Sequence, residues 1–160
     1  MLRDVFLLVV VGLLSTLSFD AIILAESFFT GHYLDWHMLG RITAYALTKG
    51  QLIIWDWQQH APVPYENLLG WFVHYAVGVA YALIYGFLIL RHFAVRHSLQ
   101  ACLIMLWCLT IMPFCILDPI AGLGFFGLLA PHPVILIALT FFNHSLYALC
   151  LWFWVNLLYV

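Results

Sequence analysis

Four ionisable residues set in or beside long apolar stretches are the candidates for chemistry in this sequence: Asp20, His74, Asp118 and His144. An ionisable group inside a bilayer is costly unless it has a partner, so each of them needs an explanation. Two histidines with one or two carboxylates can bind a divalent transition metal or relay protons. We therefore take this set as a candidate ligand, proton or metal site.

Three functions are compatible with this set of residues. In the first, Asp20, His74 and His144 form a site between the helices that serves the binding or transport of a small solute, an ion or a metal. In the second, His74 and His144 ligate a transition metal or a haem b in a membrane redox subunit or enzyme. In the third, each histidine only hydrogen-bonds a neighbouring helix, and the chain is a structural or accessory subunit. No P-loop, zinc-protease, nucleophile-elbow or dinucleotide motif is present, so whether the chain is an enzyme stays open.

The composition decides the class of protein that must position these residues. The chain has 160 residues, of which 66% are hydrophobic and 8% are charged. Because a soluble domain has about a quarter of its residues charged, this composition predicts an integral membrane protein that sits in a lipid bilayer. The net charge is -2 and there is no basic run, which argues against a nucleic-acid partner.

Four stretches are long enough to cross a bilayer as helices, which takes about 20 apolar residues. Hydrocarbon offers the backbone no water, so each stretch should be helical, and the chain is predicted to be a single all-α membrane domain over 1–160, a four-helix bundle. The spans are predicted at approximately 5–27, 68–90, 99–117 and 134–158. Four spans make a thin scaffold, which favours assembly as a homodimer or within a larger membrane complex.

The orientation follows from the basic residues in the short loops. Arg3, Arg91 and Arg96 flank the spans on one side, whereas Arg41 and Lys49 lie in the long loop 28–67 on the other. Because basic residues in short loops tend to face the cytoplasm, the N- and C-termini are predicted to be cytoplasmic and the loop 28–67 to face outward.

The outer half of the membrane collects the candidate residues, because each span places one ionisable group there. The connections add an outer rim of charged and imidazole side chains, namely His37, Arg41, Glu66 and His132, with His32 on the same side. Within this rim, Arg41 is expected either to pair with Asp35 or Glu66 or to be a solvated loop charge. This co-location is the strongest functional signal in the chain, and it depends on the spans rather than on the orientation.

The loop 28–67 is long for a bare connection, and a short interfacial helix is predicted within it at about 39–47. Pro62 and Pro64 cannot lie in a helix interior, so the second span should begin after them, with Glu66 in its first turn. His74 then lies about two turns into that span.

The third span is predicted to end in a broken segment. Pro113 and Pro119 interrupt the helical hydrogen-bond ladder, and Gly122 and Gly124 follow them. Irregular backbone at membrane depth needs protein or water around it, which favours a kinked helix followed by a re-entrant or interfacial piece. An ordinary helix stop followed by an apolar loop is the alternative.

Small and polar residues recur at helical spacing and should face other helices rather than lipid. Small residues permit close helix contact, and hydroxyls and imidazoles can hydrogen-bond across it. The three stripes are Gly12, Thr16 and Asp20 in the first span, His74, Gly78, Tyr81 and Tyr85 in the second, and Thr140, His144 and Tyr147 in the fourth.

Several blocks of the sequence resemble the DUF2938 family of small membrane proteins. They are Trp36-His37-Met38-Leu39-Gly40-Arg41, Pro62-Val63-Pro64-Tyr65-Glu66 leading into Gly70-Trp71-Phe72-Val73-His74-Tyr75, Pro113-Phe114 and Pro119-Ile120-Ala121-Gly122-Leu123-Gly124. The resemblance covers nearly the whole chain and implies a four-span protein of the bacterial inner membrane. It implies no activity and no site residues. In that family an amide often stands at the position of Asp118, which makes His74 the stronger candidate of the two.

Overall fold

The structure is a computed structural model, and it describes residues 1–31 and 35–160, with only the backbone described at Thr30. Helices make up 78% of the described residues, which contain no strand. Within these residues, four helices are long and apolar enough to cross a membrane, namely Leu2–Phe29, Glu66–His92, Leu99–Ile120 and Pro133–Leu158. The prediction of an all-α chain with four such helices is therefore confirmed.

The helices that we number α1 to α5 alternate with short irregular pieces. The second and third spans each contain a π-helical segment, in which the backbone is wound more loosely than in an α-helix. The described elements are α1 Leu2–Thr30, α2 His37–Lys49, a 3₁₀ turn Trp57–Gln59, α3 Glu66–Leu83 continued by the π-helix Ile84–His92, α4 Leu99–Leu109, the π-helix Pro113–Leu117, the short helical piece Asp118–Ile120, a 3₁₀ turn Phe125–Gly127, and α5 Pro133–Leu158.

The helix expected in the first loop is present as α2, and it is longer than predicted. It extends from His37 to Lys49 and ends at Gly50, whose φ of 66° places it in the left-handed region that favours glycine. Its buried residues include Ile42 and Tyr45, which pack with Ile54. This helix is therefore held by an apolar face rather than by its propensity alone.

The end of the third span is broken, as predicted. The regular helix ends at Leu109, and a π-helix then covers Pro113–Leu117 because proline cannot donate to the ladder. The chain turns next through Gly122 and Gly124, at φ 80° and φ 70°. Only glycine adopts these angles without strain, so the two glycines permit the turn.

The chain forms two compact units. The first, which we call the span unit, consists of Met1–Leu34, Tyr75–Leu109 and Phe142–Val160; the second, the cap unit, consists of Asp35–His74 and Thr110–Phe141. The core of the span unit joins parts of all four long helices, with Val11, Tyr85, Leu106 and Leu151 completely buried. The core of the cap unit is smaller and is built around Ile42, Tyr45, Ile54 and Ile120.

The outer faces of the long helices are apolar. Phe6, Phe72 and Phe142 are each more than half exposed, as are many other large hydrophobic side chains. Exposure on this scale is unfavourable in water but not in hydrocarbon, so these helices fit a lipid bilayer.

Candidate functional site

Asp20 is a buried carboxylate on α1 within the span unit, with 7% of its surface exposed. The Tyr75 hydroxyl hydrogen-bonds to it from the second span. One helical turn before it on the same stripe, Thr16 is completely buried and donates its hydroxyl to the Gly12 carbonyl at 2.9 Å. The stripe predicted on the first span therefore faces protein, because its small residues permit close helix contact.

Two glycines bring α1 and α3 into backbone contact. A Cβ atom at Gly12 would lie 2.5 Å from the Val79 Cα atom, and one at Gly78 would overlap the Thr16 hydroxyl. The Tyr147 hydroxyl of α5 donates to the Gly78 carbonyl at 2.9 Å and is also in hydrogen-bonding contact with Thr16. Three spans thus meet around one buried tyrosine hydroxyl.

His144 joins the same group of residues through aromatic contacts. Its ring centroid lies 6.3 Å from that of Tyr81, and the Tyr81 ring lies 5.7 Å from that of Tyr147 in an edge-to-face arrangement. These contacts place Asp20 and His144 at the two ends of one polar group, which we call the Asp20 cluster. Its members are Asp20, Tyr75, Thr16, Tyr147, Tyr81 and His144.

His74 lies in the cap unit, where its imidazole stacks on the indole of Trp36. The two ring centroids are 4.0 Å apart with an interplanar angle of 22°, and Trp71 contacts both rings edge-on. The Trp36 backbone amide donates to the Asn67 side-chain oxygen at 3.4 Å. Gly70 lies directly against the Trp36 carbonyl, so any side chain at that position would displace it.

Arg41 and Glu66 form a buried ion pair in the cap unit. Arg41 Nε donates to Glu66 Oε2 at 2.8 Å, and Nη2 donates to Oε1 at 2.5 Å. The guanidinium also donates to the His60 carbonyl at 2.9 Å, and the Val63 amide donates to Glu66 at 2.9 Å. Both side chains are less than a tenth exposed, so the alternative of a solvated Arg41 is wrong.

Hydrogen bonds in the cap unit shift the pKa values of Arg41 and Asp35. The hydrogen bonds to Glu66 raise the pKa of Arg41 above its ordinary value, although burial opposes the shift. The Asp35 carboxylate instead accepts the backbone amide of His37 at 2.9 Å, which lowers the pKa of Asp35. Asp35 therefore contacts His37, and Glu66 contacts Arg41. This decides between the two partners that the sequence left open for Arg41.

The remaining predicted residues also belong to the cap unit. Asp118 is 8% exposed, and among residues 1–31 and 35–160 its Oδ2 atom has no hydrogen-bond partner. His132 is exposed, and its carbonyl accepts the Leu136 amide at the start of α5. His32 lies outside the described residues.

The predicted set is therefore distributed between the two units. The span unit contains Asp20 and His144, and the cap unit contains His74, Asp118, His37, Arg41, Glu66 and His132. Across the part of the chain that the structure describes, no three His, Cys, Asp or Glu residues form a group that could hold a metal ion. Within the predicted set, Arg41 pairs directly with Glu66, whereas Asp20 and His144 lie at opposite ends of the Asp20 cluster without contacting each other directly.

Two residues of these sites were missed as site residues by sequence reasoning. Tyr75 contacts Asp20, and a signal was present because Tyr75 lies three positions before Gly78 on a helix and thus near the same face. Trp36 stacks on His74. Trp36 and His74 are 38 positions apart in the sequence (74 − 36), which hides that contact.

A family model described as "Protein of unknown function (DUF2938)" matches residues 9–158. The match covers nearly the whole chain, including both units and every predicted site residue. No curated protein and no solved structure matches the chain.

Proposed function

The chain belongs to the DUF2938 family. We propose that it takes part in the transport of a small solute or ion across the membrane, with the Asp20 cluster as its proton or cation site. The family assigns no activity, so the proposal depends on the side chains alone. The observation that carries it is a buried carboxylate at membrane depth that is hydrogen-bonded to the Tyr75 hydroxyl of the second span, with the Tyr147 hydroxyl of the fourth span within electrostatic range.

The depth of Asp20 supports this role. The span Leu2–Phe29 has 28 residues, and Asp20 lies 18 positions after its first residue (20 − 2) and 9 positions before its last (29 − 20). At 1.5 Å per residue it lies about 13 Å from one end of a helix about 42 Å long, which is within a hydrocarbon layer about 30 Å thick. A carboxylate at that depth is rare and in membrane proteins usually marks an ion or proton path.

The neighbours of Asp20 suit proton or cation exchange. Tyrosine and threonine hydroxyls both donate and accept hydrogen bonds, so they can pass a proton or offer oxygen atoms to a cation. His144 at the other end of the cluster belongs to the residue type that changes charge nearest neutral pH. A carboxylate and an imidazole at the two ends of a group that contains several hydroxyls are residue types found in proton relays.

Flux measurements on reconstituted protein test the proposal. Purified protein is placed in liposomes that contain a pH-sensitive dye, and a potassium gradient with valinomycin imposes a membrane potential. We expect proton or cation-coupled flux for the wild type and loss of that flux for Asp20→Asn. Glu26→Gln is the matched control, since it makes the same chemical change at an exposed position on the same helix.

The outcome separates transport from a purely structural role. Flux that is equal in Asp20→Asn and in the wild type, or absent from both under all tested cation gradients, would contradict the proposal. A second candidate is a structural or accessory subunit, which the Tyr147 hydrogen bond to Gly78 favours because such bonds join helices. That role predicts that Asp20→Asn and Tyr147→Phe lower the unfolding temperature while flux is absent throughout.

A further inference from the structure

A cavity of about 400 Å³ lies in the span unit, away from the Asp20 cluster. Arg3, Asp4 and Leu7 line it from the first turns of α1. Gly86, Leu90 and Arg91 line it from the π-helix that ends the second span. The cavity therefore lies where two spans reach the same membrane surface, with charged side chains toward the helix ends and apolar ones deeper.

The lining carries an excess of positive charge. Two guanidinium groups face one carboxylate, and the contact from Arg91 Nη1 to Asp4 Oδ2 is long at 3.4 Å and exposed. Arg3 has no ion-pair partner within the residues that the structure describes. At least one guanidinium thus keeps its donors for a ligand, and the planar fork of arginine matches phosphate oxygens in pairs.

The deeper wall is apolar and closely packed. A Cβ atom at Gly86 would overlap the Leu8 side chain, so the glycine lets the π-helix lie directly on α1 below the charged residues. Leu7 and Leu90 form the apolar part of the lining. A free phosphate ion would leave these leucines wet, whereas a lipid places its phosphate at the arginines and its acyl chains along the leucines.

We propose that this cavity binds the phosphate headgroup of an anionic phospholipid. Basic pockets between the ends of membrane helices are suited to such headgroups because the interface already holds the lipid at the right depth. The site is separate from the Asp20 cluster, so it stands or falls independently of the transport proposal.

Native mass spectrometry of the full chain tests the site. Protein released from micelles is titrated with phosphatidylglycerol or with phosphatidylcholine that has the same acyl chains. We expect selective retention of phosphatidylglycerol by the wild type and a roughly 30-fold loss of that selectivity in the double variant Arg3→Gln, Arg91→Gln. Arg96→Gln is the matched control, because it removes an exposed arginine of the adjoining loop that does not line the cavity.

The comparison has decisive outcomes. Retention lost in the double variant Arg3→Gln, Arg91→Gln but kept in Arg96→Gln supports the site. Equal loss in Arg96→Gln would overturn it, since the effect would then be one of surface charge only. Displacement of the lipid by inorganic phosphate at equal concentration would also overturn it, because the acyl chains would then contribute nothing.

Discussion

Arg41 and Glu66 meet at two points inside the cap unit, with Nε–Oε2 and Nη2–Oε1 distances of 2.8 and 2.5 Å. The pair links α2 to the first turn of α3 across 25 positions of sequence. The Arg41 guanidinium also lies 4.9 Å from the centre of the Trp57 ring and donates to the His60 carbonyl. One buried ion pair thus holds the loop, α2 and the start of the second span together.

Removing one partner of this pair should be strongly destabilising. Glu66→Ala leaves a buried guanidinium without its counter-ion, for which we expect a loss of about 3–5 kcal/mol in the free energy of unfolding. Asp4→Ala breaks the exposed pair with Arg91 and should cost less than about 1 kcal/mol. Unfolding of both variants in detergent, followed by tryptophan fluorescence, checks the contrast. Equal stabilities would mean that the buried pair contributes no more than the exposed one.

Adding a methyl group at Gly78 should separate α1 from α3. The new Cβ atom would overlap the Thr16 hydroxyl, so Gly78→Ala is expected to cost about 1–3 kcal/mol of unfolding free energy. Ala80→Leu on the same helix adds a larger side chain at an exposed position and should be tolerated. Thermal unfolding of the purified variants measures both. A neutral Gly78→Ala would show that the two helices can separate slightly without loss.

Two substitutions distinguish the stacking of the His74 ring from any hydrogen bonding by its imidazole nitrogens. His74→Phe keeps a flat ring against Trp36 and should unfold close to the wild type, whereas His74→Ala loses the stacking, worth about 0.5–1.5 kcal/mol. Unfolding curves with a Trp36→Phe background show whether the effect passes through that contact. If His74→Phe is as unstable as His74→Ala, an imidazole nitrogen has an essential partner.

His97 should make stability depend on pH. It lies between the second and third spans, where its Nδ1 is 2.9 Å from the Tyr85 hydroxyl, with the Trp152 backbone and Asn156 also facing it. Burial lowers the pKa of His97 below its ordinary 6.5, so the unfolded chain takes up the proton first as the pH falls. Its stabilising contribution is present above pH 6.5 and is lost as the pH falls through the folded-state pKa.

The measurement is a difference between two proteins. Stability of the wild type minus that of His97→Gln should decrease when the pH is lowered through and below 6.5, because glutamine does not titrate. A difference that is constant from neutral to mildly acidic pH would contradict a buried neutral imidazole at this position.

Asp118 offers a stabilising substitution. Its Oδ2 atom is buried, and in the described part of the chain it has no hydrogen-bond partner, so removing its charge should relieve a desolvation cost. We expect Asp118→Asn to be neutral or to raise the unfolding free energy by about 1–3 kcal/mol. Asp56→Asn, at an exposed carboxylate, should change little. A marked loss of stability in Asp118→Asn alone would point to a cation or donor that the carboxylate binds.

Local chemistry made much of the fold predictable. The four spans follow from apolar length, the start of α3 follows from Pro64 and Glu66, and the broken third span follows from Pro113 and Pro119. The buried stripe that includes Gly12 and Thr16 follows from helical periodicity. Each of these depends on residues within a few positions of one another, because in hydrocarbon the backbone must satisfy its own hydrogen bonds.

Apolar length and helical periodicity alone predict four helices that are long and apolar enough to cross a membrane, and they predict which helix faces are polar. The partners of these side chains come from the three-dimensional packing: Glu66 rather than Asp35 for Arg41, Trp36 for His74, and Tyr75 for Asp20. A side chain finds its partner through the path of the whole chain, and several groups of the right chemistry lie within reach in sequence. Burial then selects among them, because a charge or polar group in a dry interior is stable only beside the partner that the packing brings to it.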